Sequence, residues 1–233
     1  MTHTCIKFSP LFLITILLAS NCFAQQPVNI KLKQELDSIY TEDQHYRELL
    51  FSDQLKNNTD SIAAVYKVDK KDLVNYLMTH LKNADSTNMA RVEELIRQYG
   101  YPGKKLVGTP TNEAVFFVIQ HSQHIDQYLP LIKKAADEGE LPFHLYAMML
   151  DRSLMYNGKE QLYGTQAKGF QMTDPQSGKK IFTTIIWPVK DAANVNALRK
   201  QAGFEQTIEQ NAKRLGVDYK VFTLQQVKEM QGK

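Results

Sequence analysis

Val115-Phe116-Phe117-Val118-Ile119-Gln120-His121 is the stretch on which the fold of this chain turns. Five consecutive apolar residues leave no polar face, so a helix containing them must be buried nearly all round. Thr111 stands where it would cap a helix over Asn112 to Ser122. A second all-apolar run, Leu145 to Leu150, follows Pro142, which suits a first helical turn, and ends before Asn157-Gly158. Between the two, Ile125 to Asp137 is amphipathic and stops at Gly139. Two central helices with an amphipathic one between them are therefore expected.

Working outward, Leu32, Leu36, Ile39, Tyr40, Leu49 and Leu50 recur at three- and four-residue steps, which predicts one or two helices over Asn29 to Gln54. Asn57-Asn58-Thr59-Asp60 reads as a turn and cap before helical spacing that runs to Lys82, and Asp85-Ser86-Thr87 as the start of another helix, closed by Gly100 and Pro102. Lys104 to Pro110 is a connector. After Gly158 the pattern changes. Gln161 to Gln166 with Gly169 to Met172 reads as one extended run, a turn follows at Asp174-Pro175-Gln176-Ser177-Gly178, and β-branched Ile181 to Trp187 reads as the other. Helical spacing returns over Asn194 to Leu215, broken near Gly203, and again over Leu224 to Met230. The predicted fold is mainly α: one helical domain, residues 25–233, with a β-hairpin inserted late.

The chain has 233 residues, with 28 Lys and Arg against 25 Asp and Glu spread along it for a formal charge of +3. With no basic stripe or tail, nucleic acid is not an expected partner. Lys7, the apolar run Leu11 to Leu18 and the tripeptide Cys22-Phe23-Ala24 read as a secretory signal over residues 1–24, cut after Ala24. The run is well short of the ~20 residues a membrane span needs, so no transmembrane segment is expected in the mature chain. The competing reading, a lipid on Cys22, is disfavoured by Asn21, where a small residue is wanted. Both cysteines, Cys5 and Cys22, fall in the leader, so a mature periplasmic or secreted chain would carry no thiol chemistry.

Candidate chemistry concentrates at helix ends. His121 and His124, with Asp126 or Asp151, could offer a metal a helical face, but Ser122-Gln123 looks like a helix end that spoils the geometry, and no metal is expected. His121 then reads either as a helix-terminal residue donating to a carbonyl or as an acid/base or ligand-binding group. At Asp151-Arg152 the arginine offers a fork suited to carboxylate or phosphate, with Asp151 orienting it or His121, or the two form an internal ion pair. Alternation would set Gln161, Tyr163 and Thr165 on one strand face and Gln166 on the other, unless Gly164 makes a bulge. Their neutral donors and acceptors suit binding better than bond cleavage. Asp43 with Arg47 reads as a solvated i, i+4 pair, Asp85, Asn88 and Arg91 as a cap and surface positions, and Trp187 as a lid on the core.

Taken in order, Glu42-Asp43-Gln44 with Arg47, Asn88 and Arg91, Gly100-Tyr101-Pro102 with Val107-Gly108, Gln120-His121, Asp151-Arg152, Gly158, Gln161 with Tyr163-Gly164-Thr165-Gln166, and Pro188 with Asp191, Asn194 and Val195 resemble the bacterial domain-of-unknown-function family 6624 over about Glu42 to Ala202. Tyr101 stands where that family often has tryptophan, Ala192 where proline is usual, and Asn196 where an acid is expected. The resemblance implies positions and no established activity.

Two functions follow as expectations. The first is a binding domain whose pocket, built from Gln120, His121, Arg152, Gln161, Tyr163, Thr165 and Gln166, takes a small polar or anionic molecule or a cell-envelope component, with no cofactor. The second is a hydrolase with His121 as general base, Asp151 orienting it and Arg152 stabilising negative charge. Both require His121, Asp151, Arg152, Tyr163 and Gln166 to converge. Polar groups at the ends of buried helices must find partners, and Gln161 to Gln166 is the richest supply downstream.

Overall fold

A computed structural model describes residues 27–174 and 177–232; the expected leader and its cleavage point lie outside the described residues. These residues form ten α-helices and a late two-stranded antiparallel hairpin. α1 (Ile30–Phe51), α2 (Asp53–Tyr66) and α3 (Leu73–Tyr99) precede a short α4 (Lys104–Val107) and a 3-10 turn at Thr111–Glu113. Next come α5 (Ala114–His121), α6 (Ile125–Asp137) and α7 (Phe143–Tyr156), then β1 (Ala167–Thr173) and β2 (Lys180–Ile186), and last α8 (Val195–Gln201), α9 (Ile208–Arg214) and α10 (Leu224–Met230).

The largest core is built as the two apolar runs require. Val115, Phe116, Val118 and Ile119 of α5 and Leu145, Ala147 and Met149 of α7 are buried together with Leu32, Leu36 and Ile39 of α1 and Met89, Val92 and Leu95 of α3. α1 packs on α3 and α5, and α6 on α7. A smaller core joins Ile186 and Val189, at and just beyond the end of β2, to Val195, Ile208 and Ala212. Trp187 closes a third with Met155, Ile185 and Val227, its indole Nε1 donating to the Lys159 carbonyl at 2.8 Å. The last two long-range supports, α9 and α10, each open on a capping box, Thr207 with Gln210 and Thr223 with Gln226, which satisfies two orphan amides reciprocally.

The expected break at Asn57 to Asp60 is present as a kink inside α2, where Asn58 leaves helical geometry at φ -131, ψ 24, and the first half of α2 is capped by Ser52. Three local expectations are corrected. Asp85-Ser86-Thr87 lies inside α3, because the buried stripe Leu77, Leu81, Ala84, Asn88, Val92, Leu95 runs through it unbroken; the Ser86 hydroxyl bonds back to the Lys82 carbonyl, which a helix interior tolerates. Thr111 makes no cap and gives its hydroxyl to Asp37 at 2.6 Å. Gln161 to Gln166 is a loop before β1 rather than part of it, with a single parallel bridge between Gln161 and Val189. The ladder itself pairs Ala167 with Ile186 through Thr173 with Lys180.

Candidate functional site

Of the two central helices, α7 ends on the expected partners, with Asp151 and Arg152 bonded to the Leu162 to Gln166 stretch, whereas His121 at the end of α5 meets partners the sequence did not suggest. Asp43 extends the inward stripe of α1, Leu32, Leu36, Ile39, by one more helical step, and its side chain is 0% exposed. It faces the end of α5. His121 Nδ1 lies 2.9 Å from Asp43 Oδ2 and 3.2 Å from Oδ1, and Gln44 Nε2 donates to Oδ2 at 2.7 Å. Arg47, one turn on, places Nε 2.8 Å from the same His121 nitrogen and donates from Nη2 to Asp85 Oδ1 on α3 at 2.7 Å. One ring nitrogen cannot donate and accept at once. A proton on Nδ1 serves the Asp43 carboxylate; a bare Nδ1 serves Arg47. Burial pushes the Asp85 carboxyl above its ordinary value, against the pull of Arg47. Asp43 and Arg47 are thus no solvated pair, and neither Asp85 nor Asn88 is a surface cap: Asn88 is buried beside α1. Arg91 does reach the surface, bonded to Glu35 and Glu94.

His121 borders a cleft of about 610 Å³ whose wall includes Lys82, Asp85, Met89, Glu93 and His124. His124 is paired with Glu93 at 3.1 Å rather than with His121. Among the described residues no group of three or more His, Cys, Asp or Glu is placed to hold a metal ion.

Arg152 links the end of α5 to the late loop. Its Nη1 donates to the Gln120 carbonyl at 2.9 Å and its Nε to Gln166 Oε1 at 3.1 Å. It makes no ion pair with Asp151, and no described carboxylate lies within 4 Å of it; burial, with Arg47 nearby, pulls its pKa down. Gln120 is buried, and its Oε1 has no partner among the described residues.

Asp151 orients neither His121 nor Arg152. Fully buried, it accepts from the amides of Leu162 (2.7 Å), Tyr163 (3.1 Å) and Thr165 (3.0 Å) and from the Thr165 hydroxyl (2.9 Å). Burial pushes its pKa up while these four donors pull it down. The Gln161 side chain spans the same loop: Nε2 donates to the carbonyls of Gln166 and Trp187, and Oε1 accepts from the Gln166 amide. Gln166 Nε2 completes the knot at Met148 and Thr165. Gly164 takes φ +65, and a Cβ there would sit 2.1 Å from Ile208 Cδ1, so the turn that wraps Asp151 requires glycine. Tyr163 gives the knot its backbone, while its ring leans on Phe204 at 6.0 Å.

The residues expected to converge therefore form two hydrogen-bonded groups that adjoin where Arg152 bonds the carbonyl of Gln120, the residue before His121. In one, Asp151, Gln161, Thr165 and Gln166 bind the loop to α7; in the other, Asp43, Arg47, Asp85 and His121 form a charged cluster on a cleft. Asp43, Arg47 and Asp85 were missed as partners of His121. The available signal was an acid in phase with a buried stripe, a position where a charged residue persists only with partners.

Among known proteins, a family described as "Family of unknown function (DUF6624)" matches residues 32–221, reaching beyond Glu42 to Ala202 at both ends. No curated protein and no solved structure matches the chain.

Proposed function

The chain belongs to the family of unknown function DUF6624, and we propose that it is an exported protein whose working group is His121, acting as a general acid–base on a small polar substrate held in the adjoining cleft. The observation that carries this reading is the 2.9 Å contact from His121 Nδ1 to the fully buried Asp43. This reading takes the tautomer that serves Asp43, in which Nδ1 carries the proton and Arg47 keeps only its bond to Asp85; the carboxylate then fixes the ring orientation, and Nε2, which has no hydrogen-bond partner among the described residues, is the basic nitrogen left to an incoming molecule. The reaction class is hydrolysis: Nε2 takes a proton from an attacking water and returns it to the leaving group. Arg47, held by Asp85, supplies a fixed positive charge beside the ring. Asp43 thus takes the orienting role first assigned to Asp151.

A second reading, binding without chemistry, is favoured by one specific feature. The hydroxyls on the cleft wall, Ser86 and Ser122, both donate to helix carbonyls, and among the described residues no side-chain nucleophile is bonded to His121. Envelope peptides, glycan fragments and simple carboxylic and phosphoric esters, offered to the native protein and to His121→Gln and Asp43→Asn, separate the two. Acid–base chemistry predicts turnover that falls about 10²- to 10⁴-fold in His121→Gln while the fold persists by circular dichroism. Saturable binding without turnover, lost in the same variant, supports the binding reading. Turnover or binding indifferent to His121 removes both. Mass spectrometry of the native product tests export: a chain beginning at Gln25 is expected, and an intact Met1 would overturn it.

A further inference from the structure

A second cavity lies away from the His121 cleft, between α7 and the turn that joins α8 to α9. It holds about 420 Å³ and is bordered by His144, Thr165, Arg199, Phe204, Glu205 and Arg214, among others. Arg199 is its unusual member. On α8 the inward positions are Val195 and, one turn later, Arg199, so a guanidinium occupies a site where the helix would ordinarily bury an aliphatic side chain. It is only 2% exposed.

Every direct partner of that guanidinium is neutral. Nε donates to the Gln206 carbonyl and Nη1 to the Tyr163 carbonyl, both at 2.8 Å, and the group stacks 4.6 Å from the centroid of the Phe204 ring. Among the described residues Nη2 has no hydrogen-bond partner, and no carboxylate lies within 4 Å of any guanidinium nitrogen. Asp151 and Glu209 act on it only at longer range, and Arg214 opposes them. Arg214, also on the cavity, donates from Nη2 to Asn211 at 2.8 Å and likewise has no carboxylate partner. Glu205 is the one acid on the cavity wall, exposed and paired with neither arginine. A buried cation normally carries its counter-charge with it. Here the bonds to Gln206 and Tyr163 hold the guanidinium rigid, and the place of the counter-charge is the cavity itself. Phe204 adds an apolar wall, flanked by His144 at 5.8 Å and Tyr163 at 6.0 Å between ring centroids.

We propose that this cavity is a binding site for a small oxyanion, a phosphate or carboxylate group carried on a compact ring-bearing molecule, with Arg199 as the buried anchor, Arg214 as the second cation and Phe204 as the wall against which the ring lies. A planar guanidinium whose Nη2 is unengaged, while Nε and Nη1 are held by carbonyls, suits both oxyanions. The site does not depend on the acid–base reading of His121.

Calorimetric titration of the whole protein in a low-salt, phosphate-free buffer, with inorganic phosphate, phenyl phosphate and benzoate as probes, tests it. Binding of at least one ring-bearing probe is expected, about tenfold weaker in Arg199→Lys, which keeps the charge but not the fork, and weaker again when Arg214→Gln is added. Arg214→Gln alone alters an exposed side chain and keeps the test intact if Arg199→Lys fails to fold. Preference for phenyl phosphate assigns a phosphoryl ligand and preference for benzoate a carboxylate. His121→Gln should leave these affinities unchanged. The proposal is overturned if no probe binds the native protein at concentrations on the order of 10 mM, or if Arg97→Gln, a change on α3 outside the cavity, weakens binding as much as Arg214→Gln does.

Discussion

His121 and Asp43 stand 78 positions apart and share a 2.9 Å contact between Nδ1 and Oδ2, with the acid sealed from solvent and the imidazole at the edge of a cleft. This pairing ties the end of the central helix α5 to the middle of α1.

Asp43→Asn should therefore destabilise the protein by about 1.5–3 kcal/mol, the range for a hydrogen bond to a charged group. Urea unfolding followed by the fluorescence of Trp187, the only tryptophan, measures it. Combined with His121→Gln, the pair should show a coupling of roughly 0.5–3 kcal/mol. Additive losses would mean that the contact contributes nothing of its own.

In the other hydrogen-bonded group, Asp151→Asn places an amide NH₂ among four donors and must leave at least one of them facing another donor. A loss of about 3 kcal/mol or more is expected, in line with other broken buried networks. Amide exchange of Leu162, Tyr163 and Thr165 should quicken together, since the three share the one acceptor. Protection unchanged at all three would show that the loop holds its shape without the carboxylate.

Gly164→Ala brings two costs to one position: a left-handed φ of +65 and a Cβ 2.1 Å from Ile208 Cδ1, a side chain that is itself fully buried. The expected loss is at least about 2 kcal/mol. Cutting back the obstacle tests the assignment, because Ile208→Val combined with Gly164→Ala should cost less than the sum of the two single changes. Strict additivity would rule the contact out as the cause.

Asp126 is expected to make the stability fall in acid. The Ser153 hydroxyl at 2.5 Å, and after it the Asn157 amide at 3.0 Å, hold its carboxyl below the ordinary value of 3.8. A lowered folded pKa means that the folded chain favours the ionised form. The contribution is thus present in full above the unfolded pKa and disappears as the pH falls through the folded one. Asp126→Asn should be less stable than the native protein at pH 7, with the difference closing below about pH 4. A difference that stayed constant down to pH 2 would assign the effect to packing.

Much of the fold was legible in the residues. The all-apolar runs of α5 and α7 could only be buried, and Ile181 to Ile186 could be little but a strand. The break at Gly203 and the terminal helix at Leu224–Met230 fall where the spacing put them. The errors were local signals outweighed by tertiary packing. Asp85-Ser86-Thr87 carries the chemistry of a helix start, yet the stripe from Leu73 to Leu95 buries more by continuing through it. Tyr163-Gly164-Thr165-Gln166 has the alternation of a strand, yet its amides turn inward because a buried carboxylate 11 to 14 positions earlier accepts them.

The sequence by itself determined where helices run, which faces they bury and where the hairpin sits, because these depend on the spacing of apolar residues and on hydrogen bonds between near neighbours. Only the tertiary structure decided that Asp43, and not Asp151, meets His121, that Arg152 reaches both Gln166 and the Gln120 carbonyl, and that Arg199 lies in a cavity with no described carboxylate within 4 Å of its guanidinium. A buried polar group is satisfied by whatever donor or acceptor the packed helices bring within about 3 Å, and that distance in space has no counterpart in the number of residues between them.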